Sequence, residues 1–144
     1  MLYGIGLLPL SALLLEEFPG LVQPWYADDA AAQGDSQLLA QWLRRLREEG
    51  PKRGYRPEPS KSILLVHPGS DHEATREPLA EFPLQLKQGA RYLGGFLGGA
   101  EALDAWLQPQ LDGWVAGVER LAAVAPRYPH TAFSGLSHSL QGEW

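Results

Sequence analysis

Cysteine is absent from the 144-residue chain, so neither a disulfide framework nor a thiolate metal centre is possible. Positive charge is scarce: 12 Lys and Arg stand against 17 Asp and Glu, a formal net charge of -5. That balance excludes a protein whose whole surface grips nucleic acid, because phosphate binding rests on a Lys and Arg surplus. Long apolar runs are missing too. The N-terminal segment MLYGIGLLPLSALLLEEF is interrupted by Pro9 and ends at Glu16. It falls short of the roughly 20 residues that span a bilayer. It also carries none of the basic residues that open a secretory signal. A buried helix and no membrane segment are therefore expected.

What is present is a composition of 44% hydrophobic and 20% charged residues, that of a globular protein with enough chain for a core. The basic residues are unevenly spread. Arg44, Arg45, Arg47, Lys52, Arg53, Arg56 and Lys61 form one basic segment in an otherwise acidic chain.

Leu7, Leu8, Leu13, Leu14 and Leu15 suit a short buried helix that stops near Pro19 and Gly20. The segment LVQPWYA is β-prone and runs into Asp28 and Asp29, after which come AAAQG; strand, tight turn, strand is the simplest reading. Asp35 or Ser36 can cap a helix in which Leu38, Leu39, Trp42, Leu43 and Leu46 share a face, with Gly50 and Pro51 as its stop. The loop GPKRGYRPEPSKS leads into ILLV, a short apolar run expected as a buried strand. A modest helix fits from about Glu73 to Phe82, and LQLKQGARYLGGFLGG reads as a hairpin turning near Gly89. Leu103, Leu107, Leu111, Trp114, Val118 and Leu121 then form a long helical stripe that Pro109 is expected to kink or divide. A last helix is expected from Thr131 to Trp144.

The chemistry concentrates at Asp28 and Asp29. Adjacent carboxylates repel one another, and at a hairpin tip they make a hard oxygen site of the kind that takes Mg2+. His67, His72, His130 and His138 lack metal-ligand spacing. Ser134, Ser137 and His138 have no nucleophile elbow around them. The Trp residues lie on helical stripes and are expected in the core.

Four segments carry a resemblance. Tyr26-Ala27-Asp28-Asp29 resembles the Tyr-x-Asp-Asp motif of reverse transcriptases, the third motif of the polymerase palm. LYGIGLLPL resembles the end of motif B and its helix, GYRPEPSKS from Gly54 resembles motif D, and RYLGGFLGG from Arg91 resembles the motif E primer grip. They follow the family's order and cover about the first two thirds of the chain. Pro57, where Asn is common, and Ala30 to Ala32, where larger apolar residues are common, depart from the pattern.

The resemblance, closer to retroelements without long terminal repeats and to group II intron enzymes, implies an α+β fold. Residues 1–99 would form a partial right-hand palm, an antiparallel sheet with packed helices, and residues 100–144 an α-helical thumb-like segment. It implies an RNA-directed DNA polymerase using two Mg2+ ions, with an RNA or DNA template, a primer and deoxynucleotides as partners. Asp28 and Asp29 would be the catalytic metal ligands and Lys61 a general acid. Tyr26, Tyr92, Leu93 and Gly94 would contact nucleic acid. An intracellular place follows. Motif A, with its catalytic aspartate, would lie before Met1, and Glu16 and Glu17 have the wrong spacing to replace it, so this chain alone is expected to be inactive. The rivals are a viral RNA-dependent RNA polymerase palm, which more often carries Gly-Asp-Asp, and a non-catalytic retroelement remnant or interaction module.

Overall fold

The computed structural model describes residues 2–27 and 29–139. Asp28 and the expected end of the last helix near Trp144 lie outside the described residues. The protein is α+β, with several helices and three small two-stranded sheets among the described residues. It divides into two compact units, Met1–Gln88 and Gly89–Trp144.

The first unit begins with α1 (Leu2–Gly6) and α2 (Leu8–Glu17). Pro9 sits in the first turn of α2, where a missing N–H costs no helical hydrogen bond. Leu7, Leu10 and Leu14 are buried, whereas Leu8 and Leu15 are exposed. The helix is therefore half buried rather than buried all round. Among the described residues no helix is long and apolar enough to cross a membrane.

β1 (Trp25–Tyr26) and β2 (Asp29–Ala30) form the expected hairpin. α3 (Ser36–Glu49) follows, capped by Asp35, whose carboxylate accepts from the N–H groups of Gln37 and Leu38. Leu46, Trp42, Leu7, Leu10, Leu14 and Leu21 form one core cluster, and Ala40, Leu64, Val66, Leu79 and Phe82 a second. Leu39 and Leu43 touch both. α3 is thus the common wall of the unit, its apolar face wide enough to seat the hairpin on one side and the later strands on the other.

The ILLV run becomes β3 (Ile63–Leu65), in which Leu64 is buried and Ile63 exposed, so it covers the core with one face only. The expected helix from Glu73 shrinks to α4 (His72–Arg76) plus a single 3-10 turn at Glu77–Leu79. Pro78 lacks the N–H an α-helix needs at that position, which favours the break.

The hairpin expected to turn near Gly89 is corrected in two ways. β4 (Gln85–Lys87) pairs in parallel with β3, joined by the long crossover that a parallel pair requires. The turn of the real hairpin lies at Leu93-Gly94, between β5 (Gly89–Tyr92) and β6 (Gly95–Gly98). The single antiparallel sheet expected for residues 1–99 is thus replaced by three separate pairs among the described residues. Gly89 has a packing role: a Cβ there would fall 2.4 Å from Phe96 Cζ, on a ring that stacks on Trp106 at 5.2 Å.

In the second unit α5 (Ala100–Val124) runs unbroken through Pro109, so the proline does not divide it. Ala105 and Pro109 are exposed, and solvent can satisfy the carbonyl that Pro109 leaves without a donor. α6 (Pro129–His138) packs on α5 through small residues. Gly117 and Ala132 are buried, and a Cβ on Gly135 would lie 3.0 Å from a methyl of Leu121. Leu103, Leu111 and Val118, part of the expected helical stripe, are exposed.

Candidate metal-binding hairpin

The geometry around the paired aspartates is built by a strict ladder. Tyr26 pairs with Asp29 and Trp25 with Ala30. Ala31 N–H donates to Pro24 O, and Val22 and Gln33 exchange both hydrogen bonds at 2.9 and 2.8 Å. Ala27 therefore leads out of β1 into the turn, and two residues of sequence separate the paired Tyr26 and Asp29. Two-residue hairpin turns with the correct twist need a positive φ at the first central position, and Ala27 has φ 52°. An L-residue with a Cβ pays about 1–2 kcal/mol for that conformation. Ala27→Gly should accordingly raise the unfolding free energy by about 1 kcal/mol, as measured by urea denaturation; an unchanged or lower midpoint would contradict this account of the turn.

The period-two alternation of the strands separates two faces. Gln23, Trp25, Ala30 and Ala32 face inward. Trp25 lies edge-on to Trp42, with ring centroids 6.5 Å apart, and to Tyr55 at 5.8 Å. The Gln23 carboxamide ties three elements together. Its Nε2 donates to the Leu14 and Phe18 carbonyls, both at 3.1 Å, and its Oε1 accepts from Trp42 Nε1 at 2.8 Å. Outward, Tyr26 is 64% exposed and Asp29 is exposed beside it, directly across the strand pair. The small side chains of Ala30 and Ala32 allow the hairpin to lie close on the core. α1 reaches the same place, since a Cβ on Gly4 would stand 3.9 Å from Ala27 Cα.

Asp29 is thus an exposed carboxylate at the mouth of the turn, and Asp28, the other half of the candidate metal site, is its neighbour in sequence but lies outside the described residues. The donor chemistry fits Mg2+, which takes one or two carboxylates and keeps several waters. Among the described residues no three His, Asp or Glu side chains group closely enough to share a metal.

Lys61 is exposed at the end of a single 3-10 turn, Pro59–Lys61, and makes no ion pair among the described residues. The turn is held by Ser60 Oγ donating to Glu58 Oε1 at 2.6 Å, a bond that keeps the Glu58 carboxyl below its usual range, and by Gln85 Nε2 donating to Ser60 O at 3.0 Å. Tyr92, Leu93 and Gly94 sit together in the second unit's hairpin. Leu93 and Gly94 have φ 48° and 85°, positive at both positions as in a type I′ turn.

The basic segment is largely spent on the fold. Arg44 pairs with Glu81 at 2.6 Å, and Arg45 grips Glu17 with two parallel bonds of 2.7 and 2.8 Å. The Arg47 guanidinium lies over the Phe82 ring at 5.5 Å. Lys52 and Arg53 both go to Glu49. Arg56 and Lys61 are the two of the seven that make no ion pair or ring contact among the described residues. Glu49 is a charge centre that sequence reasoning passed over. Its side chain is only 9% exposed and takes three cations: Arg45 at 2.9 Å, Lys52 at 2.7 Å and Arg53. The signal was present in the spacing, with cations four before and three and four after it.

No protein-family model, curated protein or solved structure matches the chain.

Proposed function

We propose that this chain is a palm segment of an RNA-directed DNA polymerase, followed by a thumb-like helical segment, and that its aspartate hairpin holds divalent metal for nucleotidyl transfer. The observation that carries the reading is the register Tyr26↔Asp29, which closes a tight hairpin after Ala27 and leaves Tyr26 and Asp29 exposed on one face. An exposed Asp29 carboxylate with a second aspartate next to it in sequence is suited to hold Mg2+. Two such ions about 3.5–4 Å apart activate an attacking hydroxyl and stabilise a leaving oxygen.

In this reading a primer's 3'-hydroxyl attacks the α-phosphate of a deoxynucleotide and pyrophosphate leaves. Asp28 and Asp29 supply the oxygen ligands, and Tyr26 offers its exposed ring as a platform under the primer end. By the motif D resemblance Lys61 would be the proton donor to the departing pyrophosphate, a role worth about 10²-fold or more when the donor is well placed. Tyr92, Leu93 and Gly94 would contact the primer strand through their hairpin.

Titration with Mn2+ tests the metal site. Paramagnetic broadening should begin at residues of 22–33 and be lost in Asp28→Asn/Asp29→Asn. Broadening that starts elsewhere, or survives the double substitution, would remove the metal site and the polymerase reading with it. Primer extension by the chain alone is expected to be nil, because two carboxylates are a minimal ligand set for two ions. Extension that Asp28→Asn abolishes would overturn that expectation.

A second reading has its own support. Ile5, Leu8, Leu15, Val22 and Tyr26 are all exposed in the first unit, more apolar surface than a hairpin and helix need to leave open. A non-catalytic interaction module would use that surface, and would show no metal dependence in the titration above.

A further inference from the structure

Glu49 stands at the junction between α3 and the loop that carries the candidate proton donor. Beyond it the chain turns sharply. Arg53 N–H and Tyr55 N–H both donate to Gly50 O at 2.9 Å, and Gly54 N–H donates to Pro51 O at 3.3 Å. The turn is packed so closely that a Cβ on Gly50 would lie 2.6 Å from both Leu46 O and Tyr55 O. Glu49 clamps it from the side through Lys52 Nζ and Arg53 Nη1, while Arg53 Nη1 also reaches Glu49 O at 3.2 Å.

The three cations do not depend on Glu49 equally. Arg45 keeps Glu17, and Lys52 keeps Glu48 at 3.5 Å. Arg53 pairs directly with no other carboxylate among the described residues, and Glu17 feels its charge only from beyond ion-pair distance, so Glu49 is the carboxylate that holds this arm of the clamp. The turn delivers Tyr55 to the inner face of the aspartate hairpin, against Trp25, which in turn packs on Trp42.

We propose that Glu49 is a positioning residue for the aspartate hairpin, acting through the Pro51–Arg53 turn and the Tyr55–Trp25 contact. Its charge holds the loop closed, the closed loop seats Tyr55, and Tyr55 buttresses the strand that presents Tyr26 and Asp29. The importance of this coupling for catalysis rests on the nucleotidyl-transfer reading; the coupling itself does not.

Amide hydrogen exchange on the full chain tests it, because the ladder supplies bonded reporters at Val22, Ala31 and Gln33, and the amide of Gln85, bonded to Ser62 O at 2.9 Å, is a control in the same unit. Glu49→Gln should speed exchange at Arg53, Tyr55 and the three hairpin reporters by about 10-fold and leave Gln85 within about 2-fold. Acceleration confined to the loop, or equal acceleration at Gln85, overturns the proposal.

Should Glu49→Gln fail to fold, Arg53→Gln and Tyr55→Leu carry the test as a double-mutant cycle. Each should loosen the hairpin reporters, and the pair should loosen them no more than Tyr55→Leu alone. Strictly additive effects overturn the coupling. Loss of the metal site in the Mn2+ titration would sink the polymerase reading and leave this result untouched.

Discussion

Trp42→Ala should lower the unfolding free energy of the first unit by about 3–5 kcal/mol, the range for truncating a large aromatic in a core. Trp42 is 4% exposed and meets Leu7, Leu10, Leu14, Leu21 and Leu46 in the cluster under the hairpin. The truncation removes that packing and also leaves Gln23 Oε1 buried without its donor. An unsatisfied buried acceptor alone costs about 1–3 kcal/mol. Trp42→Phe separates the two effects, because it keeps most of the apolar area and loses only the indole donor. Its cost should fall in that smaller range, and adding Gln23→Leu to it should cost less than Gln23→Leu does in the parent chain. Urea unfolding followed by circular dichroism reads both. A Trp42→Ala midpoint within error of the parent would show that the Trp42 cluster does not seat the hairpin.

Acid should unfold the first unit through its carboxylates. The Lys52 and Arg53 bonds to Glu49 hold its carboxyl down to about 2, against 4.5 for the free group, and Arg45 holds Glu17 below its usual range in the same way. The unfolded chain then binds more protons than the folded one as these groups titrate, so stability falls with falling pH. The contribution is fully present above about pH 4.5 and disappears as pH drops through about 2. On the alkaline side Lys52, raised chiefly by its bond to Glu49, contributes stability that is present below its free value of 10.5 and lost above it. Denaturation midpoints measured across pH 2–7 should therefore decline below about 4.5, and Glu49→Gln should flatten that decline. Equal slopes in the two proteins would mean that the Glu49 clamp does not contribute to folding. High salt should weaken the effect only partly, because Glu49 is mostly shielded from solvent.

The aspartate hairpin and α3 were legible in the amino-acid sequence because both depend on neighbours. A Tyr-Ala-Asp-Asp stretch between β-prone and small residues has few ways to reverse in two residues, and Asp35 followed by a 3.6-period of Leu and Trp starts a helix where one is found. The β4 segment was not legible. Gln85–Lys87 is as compatible with a hairpin as with a parallel pair, and the choice falls to whichever strand edge lies within reach after the chain has passed through α4. The stripe on α5 shows the limit of periodicity, which marks an apolar face and says nothing of what covers it: Leu103, Leu111 and Val118 share the spacing of core residues and are exposed.

Charge illustrates the same division. Sequence alone put seven cations into one segment, excluded thiolate chemistry and led to the expectation of a tight reversal at two adjacent aspartates, all matters of composition and of contacts within four residues. Only the tertiary structure decided that Arg44 belongs to Glu81, Arg45 to Glu17 and the Arg47 guanidinium to Phe82. Those partners are 28 to 37 residues apart in the chain. Their pairing depends on how α2, α3 and the residues after α4 are packed, and burial of the shared core, rather than any local preference, sets that packing.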